Sequence, residues 1–106
     1  MTAKDKARLE AEATVVKAVA HPTRLLVVHA VARAPQNVCD LTKAAGVDIT
    51  TVSKHLSILR AAGIICSTKR GQQVFYSLNC PCVLDFLRCI TKVMTSVTHS
   101  RMRLLK

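Results

Sequence analysis

The chain has 106 residues, half of them hydrophobic, and sixteen Lys/Arg against six Asp/Glu give a formal net charge of +10. That length makes one domain, residues 1–106, with so little room for a core that apolar surface is expected to be shared with a second copy. The charge favours a polyanionic partner. The only aromatics, Phe75, Tyr76 and Phe86, argue against base stacking on single strands, and no apolar run reaches the roughly 20 residues that span a bilayer.

The first stretch, Met1–Ala13, is charged and lacks the apolar centre of a signal peptide, so the chain reads as cytoplasmic with no membrane partner. Residues 5–20 are rich in Ala and predict a first helix with Leu9, Ala13, Val16 and Val19/Ala20 as its stripe. His21-Pro22-Thr23 breaks it, and Pro22 suits the first position of a second helix. That helix, 23–34, is expected to bury Leu25, Val28 and Ala32, with Leu26 and Val31 beside them. His29 falls near the same stripe and reads as a packing or boundary residue, since one side chain makes no metal site.

Ala34-Pro35-Gln36-Asn37 predicts a loop. Val38–Ala45 predicts a short helix closed by Gly46. The following stretch places Val52, Leu56, Leu59 and Ile64 near helical spacing, with Asp48 or Thr50 as the cap and Gly63 as the stop. Its opposite face carries Thr50, Thr51, Ser53, Lys54, His55, Ser57 and Arg60: hydroxyls, cations and an imidazole. Two helices joined by a tight turn containing Gly form a helix-turn-helix, and this donor-lined second helix suits a phosphate-lined groove.

After Gly63 the period changes. Residues 64–68 predict one strand, Lys69-Arg70-Gly71-Gln72 a cationic turn, and 73–78 a second strand with Val74, Tyr76 and Leu78 on one face. A hairpin directly behind a helix-turn-helix is the winged-helix order. The expected fold is therefore mainly α with one small β-hairpin: a winged helix-turn-helix of five helices, with the hairpin between the fourth and fifth. Pro81 suits the start of a last helix, 81 to about 98, carrying Val83, Leu84, Phe86, Leu87, Ile90, Val93, Met94 and Val97. That arc is too wide for one contact face. The end helices, about 5–20 and 81–98, are expected to form a homodimer, and the basic tail from His99 is expected to be loose.

At these residues the chain resembles a known family. His21-Pro22-Thr23-Arg24-Leu25, Val38-Cys39-Asp40-Leu41, the run Thr51–Gly63 (TVSKHLSILRAAG) and Lys69–Tyr76 (KRGQQVFY) are similar to the ArsR/SmtB family, over about residues 8–98. The resemblance implies a dimeric winged-helix repressor that leaves its operator when an inducer binds. The inducer is typically a metal or metalloid ion and in some members a reactive sulfur or redox signal. Arsenite sensors of the family often carry Cys-Val-Cys-Asp-Leu-Cys before the reader helix. Here Asn37-Val38-Cys39-Asp40-Leu41-Thr42 keeps one thiol. The family's zinc site on the last helix does not carry over, because Leu87 follows Asp85 where a His is expected and His99 has no second ligand three residues on.

Five cysteines, Cys39, Cys66, Cys80, Cys82 and Cys89, are an odd number for a disulfide framework. Cys80, Cys82 and Cys89 form a local cluster of soft donors, which select Zn(II), Cd(II), Pb(II) and thiophilic metalloids. Three thiols without a histidine suit pyramidal As(III) or Sb(III) better than tetrahedral zinc. Seven residues separate Cys82 from Cys89, roughly 10.5 Å along a straight helix, whereas metal–sulfur bonds are about 2.3 Å. Cys80 and Cys82 are therefore the expected core pair. Cys89 from the same or the partner chain is the expected third ligand, with Cys39 a possible addition; Cys66 reads as a small buried residue.

The function expected is operator-bound repression. The helix at 50–62 reads the major groove through the donors above, while Lys69, Arg70 and Gln72 touch flanking backbone. The inducer would be As(III) or Sb(III), with Cd(II), Pb(II) or Zn(II) as further candidates. An alternative on the same fold is a redox or reactive-sulfur switch using a pair such as Cys39 and Cys89. Non-specific architectural DNA binding is a third reading. A thiol enzyme is not expected, because the chain has no strand–Cys-x-x-Cys–helix unit and no phosphate-binding Gly loop.

Overall fold

The computed structural model describes the backbone of residues 1–105 and the side chains of residues 1–99. Helix α1 spans Ala3–Val19 and opens on a reciprocal cap: Thr2 Oγ1 accepts the Asp5 N–H at 3.1 Å, and the Asp5 carboxylate accepts the Thr2 N–H at 3.1 Å. These bonds hold the Asp5 carboxyl below the usual carboxylate value. Helix α2, Pro22–Arg33, leaves α1 at 82°. Its cap is His21, whose Nδ1 accepts the Thr23 N–H at 3.1 Å, and Pro22 fills the first turn where no N–H is needed.

Strand β1, Gln36–Asn37, lies within the segment expected to be a loop. It is only two residues long, so it has no periodicity to read. It pairs antiparallel with Tyr76 and Phe75 of β3, Gln73–Leu78. The sheet therefore has three strands in the order β1-β3-β2, where β2 is Ile65–Arg70. The β2–β3 register runs from Ile65↔Leu78 to Arg70↔Gln73. That leaves only Gly71-Gln72 as the turn, with Gly71 at φ 62°. Lys69 and Arg70 thus close the strand rather than form the turn.

Helix α3, Val38–Ala45, is capped by Asn37 Oδ1, which accepts the Asp40 N–H at 2.8 Å. It ends on Gly46 at φ 70°, whose N–H returns to Thr42 O at 3.0 Å. Helix α4, Ile49–Ala61, is capped by Asp48 rather than Thr50, through the Thr51 N–H at 3.2 Å. Helix α5 spans Cys82–Leu105, so it continues through most of the tail expected to be loose. Lys106 lies outside the described residues.

The core is aliphatic. Leu41 of α3 and Val52, Leu56 and Leu59 of α4 pack with Val27, Val28 and Val31 of α2, Ile64 before the wing, Ile65 at the start of β2, and Ala18 and Val19 of α1. Each fully buried Leu contributes about 1.5–3 kcal/mol. In α2 the buried phase is Val27, Val28 and Val31; Leu25 is half-buried and Ala32 is exposed. The helix turns by one position relative to the sequence expectation, and His29 faces solvent.

Among the described residues α5 gives the core one buried side chain, Leu87, 8% exposed. Phe86, Ile90, Val93, Met94 and Val97 stay 41–61% exposed, as do Leu9, Val15 and Val16 of α1 at 45–50%. Among the described residues no single helix is long and apolar enough to cross a membrane.

Candidate nucleic-acid interface and thiol positions

The helix-turn-helix is α3, the Gly46–Asp48 turn and α4. Its inward face, Val52, Leu56 and Leu59, fixes the rotation of α4 about its axis. The outward face then follows. Thr50, Ser53, Lys54 and Ser57 are exposed and point away from the core.

Three other residues expected on that face have partners within the protein. Thr51 is half-buried, and its hydroxyl donates to Asp48 Oδ1. With the Thr51 N–H, this bond holds the Asp48 carboxyl below its usual value. Arg60 Nη1 donates to Ser67 Oγ at 3.3 Å and so ties the end of α4 to the wing. His55 is half-buried and its Nδ1 accepts Arg24 Nε at 3.0 Å. Burial first, then the nearby His21, Arg24 and Lys54, hold the His55 imidazole below its ordinary value. Its Nδ1 is thereby committed to Arg24, and the ring's one remaining donor is Nε2–H. Its partner is thirty-one residues away, so no local pattern could have found it.

On the wing, Lys69, Arg70 and Gln72 are exposed. The Arg70 guanidinium lies 5.3 Å from the centre of the Phe75 ring, a cation–π contact that limits its wandering. Ser53 of α4 and Gln72 of the wing line one cleft of about 350 Å³, together with Asn37, Cys39 and Tyr76. Reader helix and wing therefore face each other across one cleft. Asn79 anchors the other end of the wing, donating from Nδ2 to Gly63 O at 3.0 Å and from its backbone to Ile64 O at 2.9 Å.

The five thiols are free. Cys66 is half-buried in β2, with its Sγ 3.8 Å from Ser77 O, and is not fully enclosed. Cys39 opens onto the cleft beside Ser53 and Gln72. Cys80 and Cys82 line a different cavity, about 360 Å³ and almost wholly apolar, walled by Val15, Val16 and Val19 of α1, the Ala62–Ile64 turn, Val83 and Phe86. Cys89 is exposed two turns further along α5. Among the described residues no three Cys, His, Asp or Glu side chains of one chain converge at metal distance. Cys80, Cys82 and Cys89 of a single subunit therefore do not make a three-thiol site. Cys82 is already the first residue of a continuous helix, which keeps Cys89 out of reach.

This order of helices, with a three-stranded wing behind an exposed donor-faced helix, defines a winged helix-turn-helix DNA-binding protein. Comparison with known proteins gives the family. A family model described as bacterial regulatory protein, arsR family, matches residues 21–67. The HTH-type transcriptional regulator YgaV of Escherichia coli is 32% identical over 74 residues, which cover 69% of this chain and 75% of that protein. The biofilm growth-associated repressor of Xylella fastidiosa is 32% identical over 79 residues, covering 74% of this chain and 69% of that protein. The crystal structure of NolR from Sinorhizobium fredii superposes with a TM-score of 0.82 at 25% identity, covering 88% of this chain and 93% of that one. The chain belongs to the ArsR/SmtB family and is a DNA-binding transcriptional repressor, not an enzyme.

Proposed function

We propose that the protein is a homodimeric repressor, released from its operator when a thiophilic metalloid or metal ion binds cysteine thiolates beside the last helix. As(III) and Sb(III) are the first candidates, ahead of Cd(II), Pb(II) and Zn(II). The observation that carries this reading is that Cys80 and Cys82 line one cavity between α1 and the start of α5. These are the two helices whose apolar faces lack a partner within the subunit. Phe86, Ile90, Val93 and Val97 recur at helical spacing along α5, the pattern of a helix that packs on a second copy.

In such a dimer the partner's α5 supplies the third thiol. Cys89 of one subunit would complete a three-sulfur site with Cys80 and Cys82 of the other. Each thiol gives its proton to a hydroxide of As(OH)₃, so three As–S bonds replace three As–O bonds and three waters leave. A pyramidal centre with three sulfurs needs no fourth ligand. The donors of the DNA face are Thr50, Ser53, Lys54 and Ser57 on α4 and Lys69, Arg70 and Gln72 on the wing. Two copies would read half-sites about 34 Å apart, one turn of duplex. An ion at the α1–α5 seam shifts the spacing of the two reader helices, and DNA must weaken ion binding by the same factor.

Titration of the reduced protein with As(III) tests the site. The expected result is sulfur-to-arsenic charge-transfer absorbance that saturates at one ion per subunit, with three thiols lost to a thiol reagent. Loss of two thiols or none would remove Cys89 or the whole site. The redox reading of the same fold keeps one support: four of the five free cysteines are exposed. It predicts release by oxidant alone, reversed by reductant, without any ion.

A further inference from the structure

One cluster beneath the reader helix is used neither by the donor face nor by the thiols. Arg24 of α2 sends its guanidinium two ways. Nε donates to His55 Nδ1 at 3.0 Å, in the middle of α4. Nη1 donates to the carbonyls of Lys17 and Ala18, at 3.3 and 3.4 Å, in the last turn of α1. Lys17 O also accepts the Ala20 N–H at 3.1 Å, and both carbonyls sit at the negative end of the helix dipole, where a cation is favoured. The His55 ring lies 4.4 Å from the His21 ring, inclined by 38°. His21 in turn caps α2 through its own Nδ1. Three helices, α1, α2 and the reader, thus meet at three side chains.

The bond from Arg24 fixes the protonation of His55. Arginine keeps its protons at any ordinary pH, so His55 Nδ1 must accept and cannot itself carry one. A second proton on the ring would face Arg24 Nε–H directly. The groups acting on His55 are Arg24 from α2, His21 from the α1–α2 turn and Lys54 from α4. All are cations or can become cations, and none is a carboxylate. Lys17 enters only through its carbonyl, by way of Arg24.

We propose that Arg24, His55 and His21 form a proton-sensitive lock between α1 and the reader helix, closed while His55 is neutral and opened when acid protonates it. With the lock open, Arg24 leaves His55, α4 loses its hydrogen-bonded link to the end of α1 while the core contacts stay, and DNA affinity falls. The sign runs against the general rule. Adding positive charge to a DNA-binding protein ordinarily tightens its hold on phosphate. The inference rests on α4 being the reader, and it is independent of the thiol site.

The test uses the full chain, metal-free and reduced, on a duplex selected by the wild-type protein from random sequence at pH 8. Affinity is measured from pH 8 to 5.5 at constant ionic strength, for wild type and His55→Asn. Asparagine offers an amide oxygen in the place of Nδ1 and keeps an acceptor for Arg24 at every pH. The wild type should weaken by up to about tenfold per pH unit per subunit below the His55 titration, the limit for one coupled proton. The asparagine variant should stay flat or tighten. Imidazole nitrogen NMR of the wild type supplies the second measurement: the affinity midpoint should coincide with the titration of His55. If His55 titrates while wild-type affinity holds or rises, there is no lock. The same follows if the affinity midpoint tracks His29 or His99. Tight binding at pH 8 with a flat profile would overturn the lock and leave the reader helix intact, whereas no selectable duplex at pH 8 would overturn the reader assignment itself.

Discussion

Arg60 Nη1, in the last turn of the reader helix, donates to the hydroxyl of Ser67 on the wing at 3.3 Å. Gly63 turns the chain between them, its N–H on Arg60 O at 3.0 Å and its carbonyl on the Asn79 amide at 3.0 Å. Helix and wing are therefore fixed to each other before either meets a groove. Arg60 has a scaffold role beside its charge, and its removal differs in kind from removal of an unpaired cation.

That difference gives the first prediction. Lys54→Ala and Lys69→Ala remove exposed cations with no protein partner among the described residues. Each should lower DNA affinity and reduce the slope of log K against log salt by about two, one phosphate contact in each subunit of the dimer, with no change in thermal unfolding. Fluorescence anisotropy from low to moderate salt checks this. An unchanged slope for both would place the phosphate backbone elsewhere on the protein.

Truncating the inner face of the same helix should do the reverse. Leu56 is 1% exposed, in the centre of the core. Leu56→Ala should cost about 2–5 kcal/mol in denaturant unfolding, a large share of the stability of so small a chain. Under stabilising conditions the folded fraction should keep its salt slope.

The turn between α3 and α4 depends on backbone more than on space. Gly46 sits at φ 70°, and a Cβ there would meet nothing within 4 Å. Gly46→Val should therefore destabilise through strain alone, by roughly 1–2 kcal/mol. A larger loss would mean that the turn also repacks.

Dimerisation is tested on α5. Val93 is 59% exposed in the subunit and lies on the unpartnered stripe. Val93→Glu should convert the dimer to a folded monomer in sedimentation velocity, because a carboxylate buried at the seam would be unpaired. A variant that sediments as the wild-type dimer would move the interface off α5.

Stability should also carry a mark of His55. Burial and neighbouring cations lower its affinity for protons in the folded state. Between that lowered value and 6.5 the unfolded chain binds a proton that the folded chain refuses. Stability should fall as pH falls through that window and level off below the folded value. His55→Asn should remove this component. Asp48, held low by Thr51, acts in a separate window: its contribution is full above 3.8 and is lost as pH falls from there through the folded value.

Much of the fold was legible because each signal was local. Val52, Leu56 and Leu59 gave the phase of the reader helix, Gly46 and Gly63 its limits, and the change of period after Gly63 the wing. β1 was not legible, because Gln36 and Asn37 become a strand only through Tyr76 and Phe75. The role of His55 was hidden for the same reason. Its spacing puts it near the donor face, and its Nδ1 bond runs to Arg24, thirty-one residues away. Cys82 and Cys89 lie seven residues apart on one continuous helix, and the structure adds the apolar cavity that brings Cys80 and Cys82 against α1.

The measurement that bears most directly on the proposed switch is operator release by As(III) in the Cys80→Ser, Cys82→Ser and Cys89→Ser variants, followed by anisotropy on the selected duplex. Each variant should bind DNA like the wild type without the ion, and each should stay bound at As(III) concentrations that release the wild type. Normal release from the Cys80→Ser and Cys82→Ser variants would contradict the assignment of the sensing site to the last helix.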